Sequence, residues 1–250
     1  MITANELYEA INQFAPFETA MSFDNVGILI GSSETSSDSV LTALDATKSV
    51  LEEAVRKNIR MILTHHPVIF EPLRQLREDS IPYLAVKYGL TILSAHTNLD
   101  IAPGGVNDTL AECIGVRADQ HTDEECTLIG TLDRPMDAVT FAGQIKERLR
   151  LRGLRFTDTK KELHRVLVAC GAGGGSIGLA VKCGADALVT GEIKHHQIGF
   201  ANDHGIAVFD LGHFQSEDMI IPVLTERLNR LFPGTAFIRA ESDTDGVYYI

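Results

Sequence analysis

Three motifs carry the residues of this chain best suited to chemistry: T-H-H-P with His65 and His66, S-A-H-T-N-L-D ending at Asp100, and G-H-F-Q-S-E with His213 and Glu217. In an extended backbone successive side chains point to opposite faces, so two adjacent imidazoles suit one metal ion each. Pro67 keeps His66 out of the helical region and fixes that geometry. Asp100 is a hard oxygen donor, ionised at neutral pH, with His96 four residues before it. His213 and Glu217 stand four apart, which places both on one face if a helix runs from Phe214 onward. Each signal has a plain structural alternative: two exposed histidines, a cap for the Gly104-Gly105 turn, a solvent-facing glutamate. Their joint occurrence past three strand ends makes coincidence a poor account.

The donor count points to two ions. With Glu217 bridging, His65, Asp100 and Glu217 serve one ion, and His66, His213 and Glu217 serve the other. Structural zinc is usually closed by four protein ligands, whereas three leave a position open for water or substrate. Two divalent ions less two carboxylates leave a local charge of ~+2, which favours an anionic substrate. Mixed imidazole and carboxylate donors accept Zn, Mn, Fe or Co.

T-G-E-I-K-H-H (Thr190 to His196) adds Glu192, Lys194, His195 and His196 as a proton carrier, an anion contact or support for the metal histidines, with Glu192 and His196 as the candidates for moving protons. The alternative is a helix start with Glu192 near its positive end. A-C-G-A-G-G-G-S suggests a nucleotide loop but fails both common fingerprints. Ser176 stands where G-x-G-x-x-G requires its last glycine, and no G-K-S/T follows. A tight strand-to-helix turn is the better reading, with a backbone anion nest as the alternative.

The elements that must position these residues repeat. Thr3 and Glu6 form a capping box before a helix with Leu7, Ile11 and Phe14 on one stripe, and Phe23 to Gly31 reads as a strand. From Val40 the pattern is strand, helix (Lys48 to Lys57), strand (Met61 to Thr64), helix (Ile81 to Tyr88) and strand (Leu90 to Ala95). V-L-T-A-L-D-A-T through M-I-L-T-H-H aligns without a gap on V-L-V-A-C-G-A-G through A-L-V-T-G-E, so that Val40 falls on Val166 and Thr64 on Thr190. The expectation is an α/β fold of two similar, mainly parallel-sheet halves related by internal duplication. The first half covers 1–116, a connector 117–164, and the second half 165–250, the halves packed tightly around a shared metal cleft. Within the connector, Cys126 to Leu132 reads as a strand and Pro135 to Arg150 as a helix with proline at its first position.

Composition sets the remaining bounds. The 250 residues, 44% hydrophobic and 22% charged, suit an ordinary globular chain with ample core. The opening M-I-T-A-N-E-L has no basic region followed by an apolar stretch, and no apolar run approaches membrane-spanning length, so cytosol is the default and no membrane role is expected. Four cysteines without a C-x-x-C pair read as buried thiols. A net charge of −12 disfavours nucleic acid as a partner.

D-N-V-G near the start, T-H-H-P, the N-L-D triplet, G-E-I-K-H-H and G-H-F-x-S-E stand in the order found in the dinuclear-metal family named after a yeast Ngg-interacting factor, whose members are often called type-two GTP cyclohydrolase I homologues. The chain resembles the short form of that family, without an inserted domain. The resemblance implies the same five metal ligands, and it adds a ring-shaped homohexamer built as a trimer of dimers. Two functions follow as expectations. One is metal-dependent hydrolysis of a nucleotide or other phosphate-bearing small molecule, GTP ring opening included. The other is a non-catalytic metal-binding or interaction scaffold.

Overall fold

Thr3 and Glu6 behave as their spacing predicts. In the computed structural model, which describes residues 1–122, 126–248 and 250, the Thr3 hydroxyl accepts the Glu6 N–H at 3.1 Å and the Glu6 carboxylate accepts the Thr3 N–H at 2.7 Å. This capping box ends β1 (Ile2–Thr3) and starts α1 (Ala4–Asn12), which buries Leu7 and Ile11. The next strand, β2 (Gly27–Ile30), is shorter than the sequence suggests. Asp24 and Asn25 fall before it because their side chains bond other loops instead.

The first alternating segment then follows: β3 (Ser36–Ser37), β4 (Ser39–Ala43), α2 (Lys48–Arg56), β5 (Met61–Thr64), α3 (Ile81–Lys87), β6 (Thr91–Ser94) and α4 (Thr97–Ile101). Every residue of β5 and β6 is buried, as expected of strands covered on both faces. The chain continues through α5 (Val106–Ile114), β7 (Val116–Thr122), β8 (Thr127–Met136), α6 (Ala138–Arg148) and β9 (Arg155–Phe156). The second alternating segment is β10 (Leu163–Ala169), α7 (Ile177–Lys182), β11 (Ala187–Thr190), α8 (His195–His204), β12 (Ala207–Asp210) and α9 (His213–Glu217). The last elements are α10 (Ile220–Leu231) and β13 (Ala236–Arg239).

The duplication is visible in strand register. Parallel pairing runs from Val40↔Met61 to Ala43↔Thr64 in β4 and β5. It runs from Val166↔Ala187 to Ala169↔Thr190 in β10 and β11, the residues that the sequence alignment matches one to one. β6 and β12 extend the two sheets in parallel. The fold is therefore α/β with two similar three-strand parallel cores. What surrounds the cores differs. Among the described residues, one large sheet has the order β13-β4-β5-β6-β2 and the second β7-β8-β10-β11-β12-β9, while β1 and β3 form a separate antiparallel pair. In the second sheet β7, β8 and β9 all join antiparallel and all come from the connector region, of which residues 123–125 lie outside the described residues.

The chain divides into two compact units, 1–102 with 220–244 and 103–219 with 245–250. The sequence division at 116 and 165 follows the repeat, whereas this one follows contacts. It arises because β13 pairs in parallel with β4, bringing the C-terminal segment into the first unit. Each unit has its own core: Leu41, Val50, Leu51, Ile62 and Ile92 in the first, and Leu167, Leu179, Leu188 and Val208 in the second. Each such side chain contributes roughly 1.5–3 kcal/mol by leaving water.

One connector expectation is corrected. Pro135 does not open a helix; it lies in β8, and Met136 still pairs with Leu163 across an irregular stretch of the ladder. A register shift of this kind tolerates a residue without an N–H. The helix begins later because Asp137 is the better cap, accepting the Thr140 N–H at 2.9 Å and its hydroxyl at 2.7 Å.

Glu53, on the inner face of α2, is a buried carboxylate with four donors. Lys57 pairs with it at 2.8 Å, the Glu241 and Ser242 N–H groups donate at 3.1 and 2.8 Å, and the Ser242 hydroxyl donates at 2.5 Å. Burial opposes its ionisation, but these donors prevail and hold its pKa down at about 2. Among the described residues, no helix is long and apolar enough to cross a membrane.

Candidate metal centre

The candidate ligands divide between the units: His65, His66 and Asp100 in the first, His213 and Glu217 in the second. In the first unit, the backbone just past β5 stays tied to the end of β4, the His65 N–H donating to the Ala43 carbonyl at 3.1 Å and the His66 N–H to the Leu44 carbonyl at 2.9 Å. The side chains do not point apart as strand alternation predicts. The strand ends at Thr64, and the two imidazoles come within 5.1 Å between ring centres. His96, two residues past β6 and at the N-cap position of α4, completes a group of three whose donor nitrogens all lie within 4.8 Å of one another. Asp100, buried on α4, faces His65 Nε2 at 3.4 Å. In the turn that follows, the Gly104 N–H donates to Asp108 at 2.6 Å.

The second unit repeats the device with a helix. His213 and Glu217 lie one turn apart on α9, with His213 Nε2 3.1 Å from a Glu217 oxygen whose side chain is almost fully buried. Gly171 makes room for this carboxylate. Its φ is +55°, and a Cβ there would collide with Glu217 Oε1 and approach His213 Nε2 to 3.2 Å. Gly191 serves similarly beneath Ser216, whose hydroxyl accepts the Gly171 N–H at 2.9 Å and donates to the His213 carbonyl at 2.8 Å. The glycine-rich stretch is thus a turn shaped around the α9 donors. The expected result for Gly171→Ala is a displaced Glu217 and metal affinity lowered by roughly 10- to 100-fold, the range seen when support of a ligand is lost. Equilibrium dialysis against Zn or Mn reads this directly, and unchanged affinity would remove the glycine from the site.

What unites the four histidines is the fate of Nδ1. His65 donates Nδ1–H to the Ala95 carbonyl at 2.9 Å, and His66 to Asp45 at 2.8 Å. His96 donates to Asp24 at 2.9 Å, and His213 to Glu192 at 2.7 Å. A hydrogen bond at Nδ1 fixes the tautomer and leaves Nε2 as the lone-pair nitrogen, the arrangement that metal-binding imidazoles use. Asp24 is itself held firmly. Burial opposes its charge, but the bonds from His96 and Thr97 keep its pKa at about 2. The donor set therefore fits a divalent ion: neutral imidazole nitrogens, one buried carboxylate in each unit, and a glycine cradle behind Glu217.

Sequence reasoning did not identify Asp24 and Asp45. Asp24 belongs to the D-N-V-G motif, which was the available signal, and Asp45 follows β4 as His66 follows β5. Of the roles the sequence offers Glu192, support of a histidine is the one the geometry bears on, since its carboxylate lies 2.7 Å from His213 Nδ1. His195 and His196 stand exposed on the first turn of α8, whose N–H at Lys194 donates to Gln197 at 2.7 Å.

The class is that of a duplicated α/β fold carrying, past its strand ends, imidazole and carboxylate groups that could hold a metal ion. The family model described as Duf34/NIF3 (NGG1p interacting factor 3) matches residues 2–245, and the chain belongs to that family. It is 32% identical over 240 residues to a Clostridium acetobutylicum protein named GTP cyclohydrolase 1 type 2 homolog, covering 91% of this chain and 90% of that one. A Staphylococcus aureus hypothetical protein of known structure superposes with a TM-score of 0.90 at 28% identity, over 99% of both chains. A Bacillus cereus protein related to NIF3 has the same fold, with a TM-score of 0.88 at 21% identity over 100% of this chain and 99% of that one.

Proposed function

We propose that the chain binds two divalent ions, of Zn, Mn, Fe or Co, through His65, His66, Asp100, His213 and Glu217, and hydrolyses a nucleotide or other phosphate-bearing small molecule. The name of its relatives suggests a GTP cyclohydrolase-like reaction. The observation that carries the reading is the anchoring of every one of these imidazoles at Nδ1, which presents Nε2 for coordination. Divalent ions bound there supply Lewis acidity and activate water at neutral pH.

The chain's own residues then have distinct tasks. Asp45 and Glu192 hold His66 and His213 in one tautomer, each carboxylate keeping a proton on the Nδ1 that faces it. Glu192 is the more exposed of these two carboxylates, and with His196 it is our candidate for moving protons to and from substrate. We place the protein in the cytoplasm, where Cys113, Cys126, Cys170 and Cys183, none of them in a disulfide, stay reduced. We propose that it works as a homohexamer.

The test is metal analysis of freshly purified protein, followed by hydrolysis screens with each ion restored. Two ions per chain and turnover of GTP or another nucleotide or phosphoester are expected. Two ions without turnover of any such compound would favour a metal-binding scaffold, and fewer than two would end the dinuclear reading. Light scattering should give a mass near six chains, and a monomer at micromolar concentration would refute the hexamer.

A further inference from the structure

Three consecutive residues, Phe23, Asp24 and Asn25, reach three different targets. Asp24, whose side chain is wholly enclosed, grips His96 and receives the Thr97 N–H at 3.0 Å. Asn25 donates its side-chain N–H to the Ile69 carbonyl at 2.6 Å, which fixes the backbone beside Phe70. Phe23 is left 61% exposed and Phe70 47% exposed. Their ring centres lie 6.2 Å apart at an angle of 60°, and Phe70 meets His96 edge-on at 6.1 Å and 85°. His96 in turn packs against His65 and His66, with ring centres 5.1 and 5.6 Å away.

Two large aromatic rings facing water cost free energy unless something covers them during function. These rings are held in place by polar anchors at both ends, and they adjoin the three-histidine group rather than a remote surface. We propose that Phe23 and Phe70 form the wall that receives the planar heteroaromatic ring of the substrate, stacking on it while its anionic portion reaches the metal donors. This inference rests on the metal-site reading above and adds the ring as the second recognition element. Base stacking on aromatic side chains tolerates many ring types because every base has a π-face. Phe23 and Phe70 would then set a preference for ring-bearing over ring-free phosphates rather than for one particular base.

The test compares GMP with ribose 5-phosphate, which share sugar and phosphate and differ by the base. Calorimetry on the metal-loaded full chain should show GMP binding about 10-fold more tightly or better. Phe70→Ala and Phe23→Ala should each weaken GMP by about 10-fold and leave ribose 5-phosphate unchanged, whereas Phe70→Tyr should retain the preference. Equal affinity for the two ligands, no binding of either at millimolar concentration, or a parallel loss of both in the variants would overturn the proposal. So would a change in mass by light scattering with the GMP preference intact, because the rings would then belong to an interface between copies. Metal content is measured separately on each sample. If it falls short while the ring preference holds, the metal reading fails and the ring site stands.

Discussion

Replacing Glu217 with alanine should strip the protein of metal more completely than any other single change. The carboxylate is buried, faces His213 Nε2 at 3.1 Å, and occupies space that Gly171 leaves open for it. If it bridges two ions, its removal takes one bond from each, and both affinities should fall by roughly 100-fold or more, beyond the range for losing a supporting residue. Metal content measured after gel filtration should drop from two ions per chain to below one, and any hydrolysis should vanish with it. Glu226→Ala is the control, since that glutamate is exposed and pairs with Arg230 at the surface of α10. Retention of one ion at wild-type affinity would show that Glu217 serves a single ion.

The second large effect is on stability. Glu53 ordinarily titrates near 4.5 and is held at about 2 by Lys57, Ser242 and the Glu241 N–H despite burial. A carboxyl group depressed on folding stabilises the native state when it is ionised in both states, above 4.5, and that contribution is lost as pH falls through about 2. The gap corresponds to about 3 kcal/mol at neutral pH. Glu53→Gln should therefore lower the urea-unfolding free energy by about that amount at pH 7, and the difference from wild type should shrink by about half or more at pH 3. A difference that stays constant between those pH values would assign the loss to packing rather than to charge.

Much of this was legible in the sequence, for identifiable reasons. Strand-end histidines and an i, i+4 pair are local patterns, and the gapless repeat carries register directly, so Val40↔Met61 and Val166↔Ala187 could be anticipated as equivalents. The anchors were harder to see. Asp24 meets His96 across 72 positions of chain, and no spacing rule links residues that only folding brings together. Within the repeat, Asp45 corresponds to Gly171 and His66 to Glu192. In the first unit that pair is a carboxylate holding an imidazole. In the second, the glycine clears space for Glu217 and the glutamate holds His213 instead. Alignment displays the substitutions, but only packing explains why they occur together. The direction of the His65 and His66 rings was misread because alternation stops where the strand does.

The pairing of β13 with β4 has a consequence for biosynthesis. Thr42 and Ile238 meet across 196 positions, so β4 leaves the ribosome long before its outer neighbour exists. At elongation rates of roughly 5–20 residues per second, that interval is about 10–40 s. Residues 103–219 can condense in the meantime, because they form most of their unit as a continuous stretch. During this interval β4 presents an unpaired strand edge in an apolar sequence, the kind of template that recruits other nascent chains. Slow translation or truncation before Ala236 should therefore favour aggregation from the first unit. A circular permutant that starts at Ile220 and joins the native ends would make β13 before β4 and should relieve it.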